Sequence, residues 1–494
     1  MQATSLRRTL YLTVATAGLA LGSSARADDL REALASAYNT NPNLEAARAG
    51  QRANDENVPI NRANGLPTAT ATATHIEFLR QSGNQFTAPT RNFGVNLAVT
   101  APIYSGGAVK NSIRAADERV EAGRADLRGT ESAIFSQAVA AYMDVLRTEA
   151  LAGLAANQVE VLKVNLEATS DRFEIGDLTR TDVAQSQSRL ALAESDFQTS
   201  LSNLIAARNT YIQVIGRTPE SLMAPPPLPN LPETVEMAQE TALKFNPDLI
   251  AAKERADAAG FDTKVAGAGR MPTVALFANG DYSNFLGTLG GGPFTQAETT
   301  ANAGVRVTIP IFQAGAIAAR ERQASALETQ ALENMIAIER SVVQQTRNAY
   351  ASWQASNANI TSSKTAVEAA EVSLEGVRAE NSIGNRTILD VLNAEQELLS
   401  ARAQLVTARR NAYVAGFTLL AAMGKAEARD LNLDTGGPLY DPTVNYDEVR
   451  NKIWDWDRPP WDTGGAPKAQ PNSTRTVDIP APTASFGPQL EPDG

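Results

Sequence analysis

Two short stretches combine a glycine, a hydroxyl and an acid at the same spacing. One is Gly176-Asp177-Leu178-Thr179-Arg180-Thr181-Asp182, and the other is Gly384-Asn385-Arg386-Thr387-Ile388-Leu389-Asp390. Thr-x-x-Asp after a glycine is the spacing of a helix N-terminal capping box that follows a glycine C-cap. An acid in the first helical turn is also favoured by the helix dipole. Elsewhere the material for chemistry is scarce. The chain has no cysteine, which removes disulfides, thiolate metal sites, a thiol nucleophile and a lipidated N-terminal Cys. Its one histidine, His75, sits in a Thr/Ala run, and no GxxxxGK[ST] phosphate loop occurs. The formal charge of −11 leaves no basic face for nucleic acid. A non-enzyme without cofactor or metal is expected, with no nucleic-acid partner.

The two stretches belong to a long internal repeat. Gly176, Thr179, Asp182 and Val183 match Gly384, Thr387, Asp390 and Val391 at an offset of 208. Pro102-Ile103-Tyr104-Ser105-Gly106-Gly107 matches Pro310-Ile311-Phe312-Gln313-Ala314-Gly315 at the same offset, with no gap from there to Gly216 and Gly424. Upstream, Asn41-Pro42-Asn43-Leu44 echoes Asn246-Pro247-Asp248-Leu249 at an offset of 205. A duplication of this length sets the architecture. The proline-dense joint reads as a linker or capping strap. The expected divisions are a signal peptide at 1–27, a first repeat at 28–218, the linker at 219–234, a second repeat at 235–428 and a poorly ordered extension at 429–494.

Each repeat has the same parts in order. A modest helix (about 30–63 and 235–269) breaks near Pro42 or Pro247, and two strand-like runs, a long helix, a glycine tip and a second long helix follow. Val145, Ala152, Val159, Leu166 and Phe173 are seven apart, as are Val183, Leu190, Phe197, Leu204 and Tyr211, and the second repeat keeps the register. That periodicity specifies a left-handed coiled-coil seam. From Ala108 to Arg172 the first long helix would span roughly 100 Å.

The N-terminus reads as a secretory signal. Arg7 and Arg8 precede an apolar run from Leu10 to Leu21, and Ala25-Arg26-Ala27 supplies a cleavage site. Loss of the three arginines takes the formal charge from −11 to −14. No later apolar run is long enough for a spanning helix, so any membrane insertion must use strands. Phe93, Val95, Leu97 and Val99 alternate with Asn92, Gly94, Asn96 and Thr100, and Ala303, Val305, Val307 and Ile309 with Asn302, Gly304, Arg306 and Thr308. Val274, Leu276 and Ala278 alternate similarly, and Thr68–Phe78 does so more weakly. Such runs fit tilted spanning strands or a half-buried soluble sheet. Four strands cannot close a barrel, and a bilayer tolerates no open edge, so a membrane reading requires several chains to pool strands. Pro102 and Pro310 are expected to mark the swerve from strand to helix. Arg306, on the polar side, is expected to tune barrel electrostatics or pair with Asp281.

Signal peptide, duplication, PIYSGG/PIFQAG, IGNRTILDVLNAEQEL and the closing YVAGFTLLAAMG together resemble the TolC family of outer-membrane proteins, over nearly all of the mature chain to about Leu431. The resemblance implies a mostly α, internally duplicated chain with a small membrane β-barrel part. It implies a homotrimer whose twelve pooled strands form one barrel in outer-membrane lipid, above a tapered periplasmic α-barrel closed at its tip. It implies a passive export duct that receives cargo from an inner-membrane transporter (ABC or RND) joined by a periplasmic adaptor, a membrane fusion protein. The wording of the second tip is more similar to the type I secretion branch than to the drug-efflux branch. Carried over by position, Asp390 is a pore-constriction carboxylate with Asn393 where a second acid is usual. Arg386 is a gate residue reaching Thr181 and Asp182 of the first tip, with Asn381 where a latching tyrosine is usual. Three axial carboxylates would raise one another's pKa and attract cations. The competing reading is an exported coiled-coil scaffold or spacer without a channel, which leaves the alternating strands unexplained.

Overall fold

The computed structural model describes residues 29–80, 89–290, 295–433 and 438–457. The expected signal peptide, parts of both strand-hairpin tips and the end from 458, with Trp461, lie outside the described residues.

Three helices open the chain: α1 (Leu30–Thr40), α2 (Pro42–Asp55) and α3 (Asn57–Ala63). Strands β1 (Thr68–Glu77) and β2 (Arg91–Ser105) lead into α4 (Ala108–Glu174), which α5 (Arg180–Ile215) follows. The second repeat runs α6 (Val235–Phe245), α7 (Pro247–Ala268), β3 (Thr273–Asn284), β4 (Ala297–Thr308), α8 (Ala316–Ser382) and α9 (Ile388–Ala422). A further helix, α10 (Pro442–Val449), lies in the extension.

The echo of Asn-Pro has a local cause. Asn41 and Asn246 are the N-caps of α2 and α7, with proline at the first helical position where its missing N–H costs nothing. Each asparagine also donates to the last turn of the returning helix of its own repeat: Asn41 to the Val214 carbonyl (2.9 Å) and Asn246 to that of Ala422 (2.9 Å). One residue type thus starts a helix and pins the hairpin.

The four strands form one antiparallel meander in the order β1-β2-β3-β4, leaving β1 and β4 as edges. Its polar face carries cross-strand bonds, Asn96 to Asp281 (2.5 Å) and Asn279 to Asn302 (3.1 Å). Arg306 does not pair with Asp281; its guanidinium lies over the Phe277 ring at 4.8 Å, in space left by Gly304. The swerve also differs from expectation. Pro102 lies within β2 at a register shift rather than ending the strand, while Pro310 follows β4. The turn into the helix is made by left-handed backbone at Gly106 and Gly107, and at Ala314 and Gly315.

The main core surrounds the middle of α4, with Phe135, Tyr142 and Val145 against Tyr211, Phe417 and Leu420. The proline-rich linker crosses it, and three tyrosine hydroxyls donate to its carbonyls: Tyr142 to Met223 (2.7 Å), Tyr413 to Pro226 (3.1 Å) and Tyr350 to Glu233 (2.8 Å). Residues 438–457 correct the expectation of a poorly ordered extension. Asn445 donates to Asp55 and Tyr446 to Asp117, each at 2.8 Å, so polar and aromatic side chains dock α10 where no hydrophobic period announces it.

Candidate functional site: the paired helical tips

Both tips close by the same backbone device. Gly176 and Gly384 adopt φ of +84° and +82°. Asp177 N–H reaches back to the Arg172 carbonyl and Asn385 N–H to that of Glu380, each at 2.9 Å, as in a Schellman motif. Both capping boxes then form. Thr179 and Asp182 exchange side-chain and backbone bonds, and so do Thr387 and Asp390. The bond from the threonine hydroxyl, then that from its N–H, holds each aspartate below the usual carboxylate range, with Arg386 adding to the effect at Asp390. In the single chain the Asp390 carboxyl is therefore lowered, opposite to the rise expected for an axial cluster of three.

Arg386 donates to Glu380 of its own tip (2.7 Å) rather than to Thr181 or Asp182. Six residues of tight turn place a carboxylate nearer than the other hairpin. Asn381 likewise turns inward, its amide donating to the Arg386 carbonyl (2.8 Å). Asn393 does bridge the hairpins: its carbonyl oxygen accepts from Arg189 of α5 at 3.0 Å.

A second link between the hairpins escaped sequence reasoning. Glu395 on α9 is buried, accepting from the Asn165 amide of α4 (3.1 and 2.9 Å) and from Arg378 of α8 (2.9 Å). Beside it Leu392 packs with Val159, Leu162 and Ala193 of the first hairpin. The signal was a second stripe, Leu392 and Glu395, one residue off the Val391–Leu398 heptad seam that packs on α8. A helix with two such stripes is held between two neighbours.

Long paired helices below an open four-stranded sheet define an outer-membrane channel-tunnel, with strands for the bilayer and helices for the periplasm. Residues 33–217 and 239–425 each match the family model described as outer membrane efflux protein, and the chain belongs to that family. It is 31% identical over 431 residues to outer membrane efflux protein BepC of Brucella suis biovar 1, covering 87% of this chain and 92% of that protein. Against outer membrane protein TolC of Escherichia coli the identity is 29%, over 68% of this chain and 71% of that one. The fold is shared with the crystal structure of CusC at a TM-score of 0.71 and 19% identity, over 81% and 92% of the two chains. The protein is thus an export channel of the outer membrane, its helical part in the periplasm. Channels of this family are trimeric and work with an adaptor and an inner-membrane transporter.

Proposed function

We propose that three copies of this chain pool twelve strands and six hairpins into one passive duct, fed by an inner-membrane ABC or RND transporter through a periplasmic adaptor. The single observation that carries the reading is the pair of free strand edges, β1 and β4, which a bilayer penalises unless neighbouring copies cover them. Cargo falls in the class of secreted polypeptides, small molecules or both, the wording of the second tip favouring polypeptides. The mature protein should fractionate with outer membrane as an SDS-resistant oligomer that heat dissociates. A soluble monomer would end the reading.

At the tip, three Asp390 carboxylates would form the constriction, with Asn393 contributing polarity without charge. Arg386 would give up Glu380 to reach Thr181 and Asp182 of a neighbouring copy, closing the iris. Both Arg386 and Asp390 are solvent-exposed enough in the single chain for such an exchange. In planar bilayers Asp390→Ala should lose cation preference and block by multivalent cations, and Arg386→Ser should raise conductance. Unchanged ion selectivity in Asp390→Ala would remove the ring assignment, and unchanged conductance in Arg386→Ser the gate assignment.

A further inference from the structure

The extension beyond the second repeat climbs the molecule in one direction. Ala428 N–H donates to Glu131 (2.5 Å), Tyr440 N–H to the Tyr38 hydroxyl (2.9 Å), Asn445 to Asp55 and Tyr446 to Asp117. Arg62 then donates to the Arg450 carbonyl (3.1 Å) and to the Asn451 side chain. Partners on α4 thus fall from 131 to 117, while those on α1–α3 rise from 38 through 55 to 62. Both progressions lead toward the sheet, because α4 begins just after β2 and α3 ends just before β1. Six residues separate Arg62 from Thr68, at most about 20 Å of chain.

At the top of this climb three large apolar side chains face outward within four residues: Ile453 and Trp454, each 71% exposed, and Trp456, 81% exposed. The loop is shaped rather than frayed. Asp457 N–H bonds the Trp454 carbonyl (3.1 Å), and the Lys452 ammonium reaches Glu448 (3.2 Å) and Asp457 (3.6 Å). Two indoles exposed two residues apart, with Ile453 beside them, form an apolar patch that calls for a partner. Ile103 and Tyr104, also exposed, lie at the end of β2 from which α4 begins, the end toward which the extension climbs.

We propose that residues 453–456 are a membrane-interface anchor, their tryptophans seated in the headgroup layer of the periplasmic leaflet of the outer membrane. Indoles suit that layer because the ring enters the acyl boundary while the N–H meets phosphate and ester oxygens. Asp455 would face the ammonium groups of phosphatidylethanolamine. The anchor fixes the height of the barrel in the bilayer and ties it to the periplasmic body through α10.

The absence of cysteine makes the test direct. Trp454→Cys and, as a reference lower on α10, Val444→Cys would each carry one nitroxide on the full-length trimer in phosphatidylethanolamine/phosphatidylglycerol nanodiscs. At position 454 collisions with oxygen should exceed those with a water-soluble nickel chelate, and at 444 the chelate should win. Chelate-dominated collisions at 454 would place the loop in water, and loss of access to both would place it against protein, a neighbouring copy included; either overturns the proposal. Should Trp454→Cys not assemble, quenching by brominated phospholipids decides, with Trp461→Phe as background. Adding Trp454→Phe and Trp456→Phe should remove most of that quenching, since the one tryptophan left, Trp353, packs against the core of the helical body. Equal quenching overturns the proposal.

Discussion

The helices α4 and α8 are products of one duplication, each 67 residues long, yet the single chain treats them differently. The first buries 21 residues and the second five, although both lie in hairpins of similar design. Counterparts 208 apart show where they diverge. Phe135 and Val139 are fully buried, while Val343 is half-buried and Arg347 exposed; Glu131 is enclosed, while Glu339 faces solvent. The first repeat is covered by α1–α3, α10 and the second hairpin, so its helix became the core of the protomer. The second repeat keeps Leu327, Leu332, Ile336 and Val372 exposed on α8. Duplication supplied two equal hairpins, and the terminal segments made them unequal.

Phe135→Ala is the strongest way to break this comparison. It removes a fully buried ring and should cost the protomer about 3–5 kcal/mol, read as a shift in the denaturant midpoint. Val372→Ala, on the open face of α8, should leave protomer stability within about 0.5 kcal/mol while weakening the SDS-resistant trimer. A protomer equally destabilised by both would mean that α8 is already a core helix.

Glu131, enclosed in the first repeat, makes that repeat sensitive to pH. Burial raises the Glu131 carboxyl from 4.5 to about 6, against the opposing Ala428 N–H. The folded state therefore binds more protons than the unfolded chain between about pH 4.5 and 6, so this group's stabilising contribution is lost as pH rises through that window. The difference is worth about 2 kcal/mol at neutral pH. Relative to wild type, Glu131→Gln should flatten the fall in stability from pH 4.5 to 6.5. Thermal unfolding at several pH values checks this; an unaltered slope in Glu131→Gln would show that the buried site carries no such cost.

The link at Glu395 sharpens the comparison at the tips. Glu395→Ala strips two hairpins of a shared acceptor, leaving the Asn165 amide without it. Because Arg378 stays half exposed, the cost should be about 1–3 kcal/mol rather than that of a fully buried pair. Glu371→Ala, which breaks an exposed pair with Arg402 inside the second hairpin alone, should cost less than about 1 kcal/mol. Hydrogen exchange of the α4–α9 contact distinguishes them, as only the first should speed it. Equal exchange in both variants would deny Glu395 its bridging role.

Much of this fold could be read from residue spacing, and the failures have identifiable causes. The duplication, the heptad seam on Val391 and Leu398, the glycine turns and the capping boxes are local or strictly periodic, so a single chain displays them. Four alternating strands were also legible, since each pleat repeats every two residues. What stayed hidden were contacts between segments far apart in sequence. Tyr446 meets Asp117, and Glu395 meets Asn165, through single polar side chains that carry no periodic signature. The single-chain partner of Arg386 was legible in principle yet unread: Glu380 lies six residues away in its own turn.

The smallest predicted effect is the one that separates structural from functional equality at the tips. Gly176 and Gly384 have nearly the same left-handed φ, and a Cβ on either would meet open space. Gly176→Ala and Gly384→Ala should therefore carry the same backbone strain, about 1 kcal/mol each, seen as faster amide exchange at the mutated turn alone. Conductance should not follow that equality. Gly384 sets the turn that carries Arg386 and Asp390, whereas the first tip has Leu178 at the position of Arg386. Loosening the second tip should raise single-channel conductance, and loosening the first should do so less. Equal conductance changes with equal strain would mean that the tips act as interchangeable caps, and that gating does not reside in the charged pair.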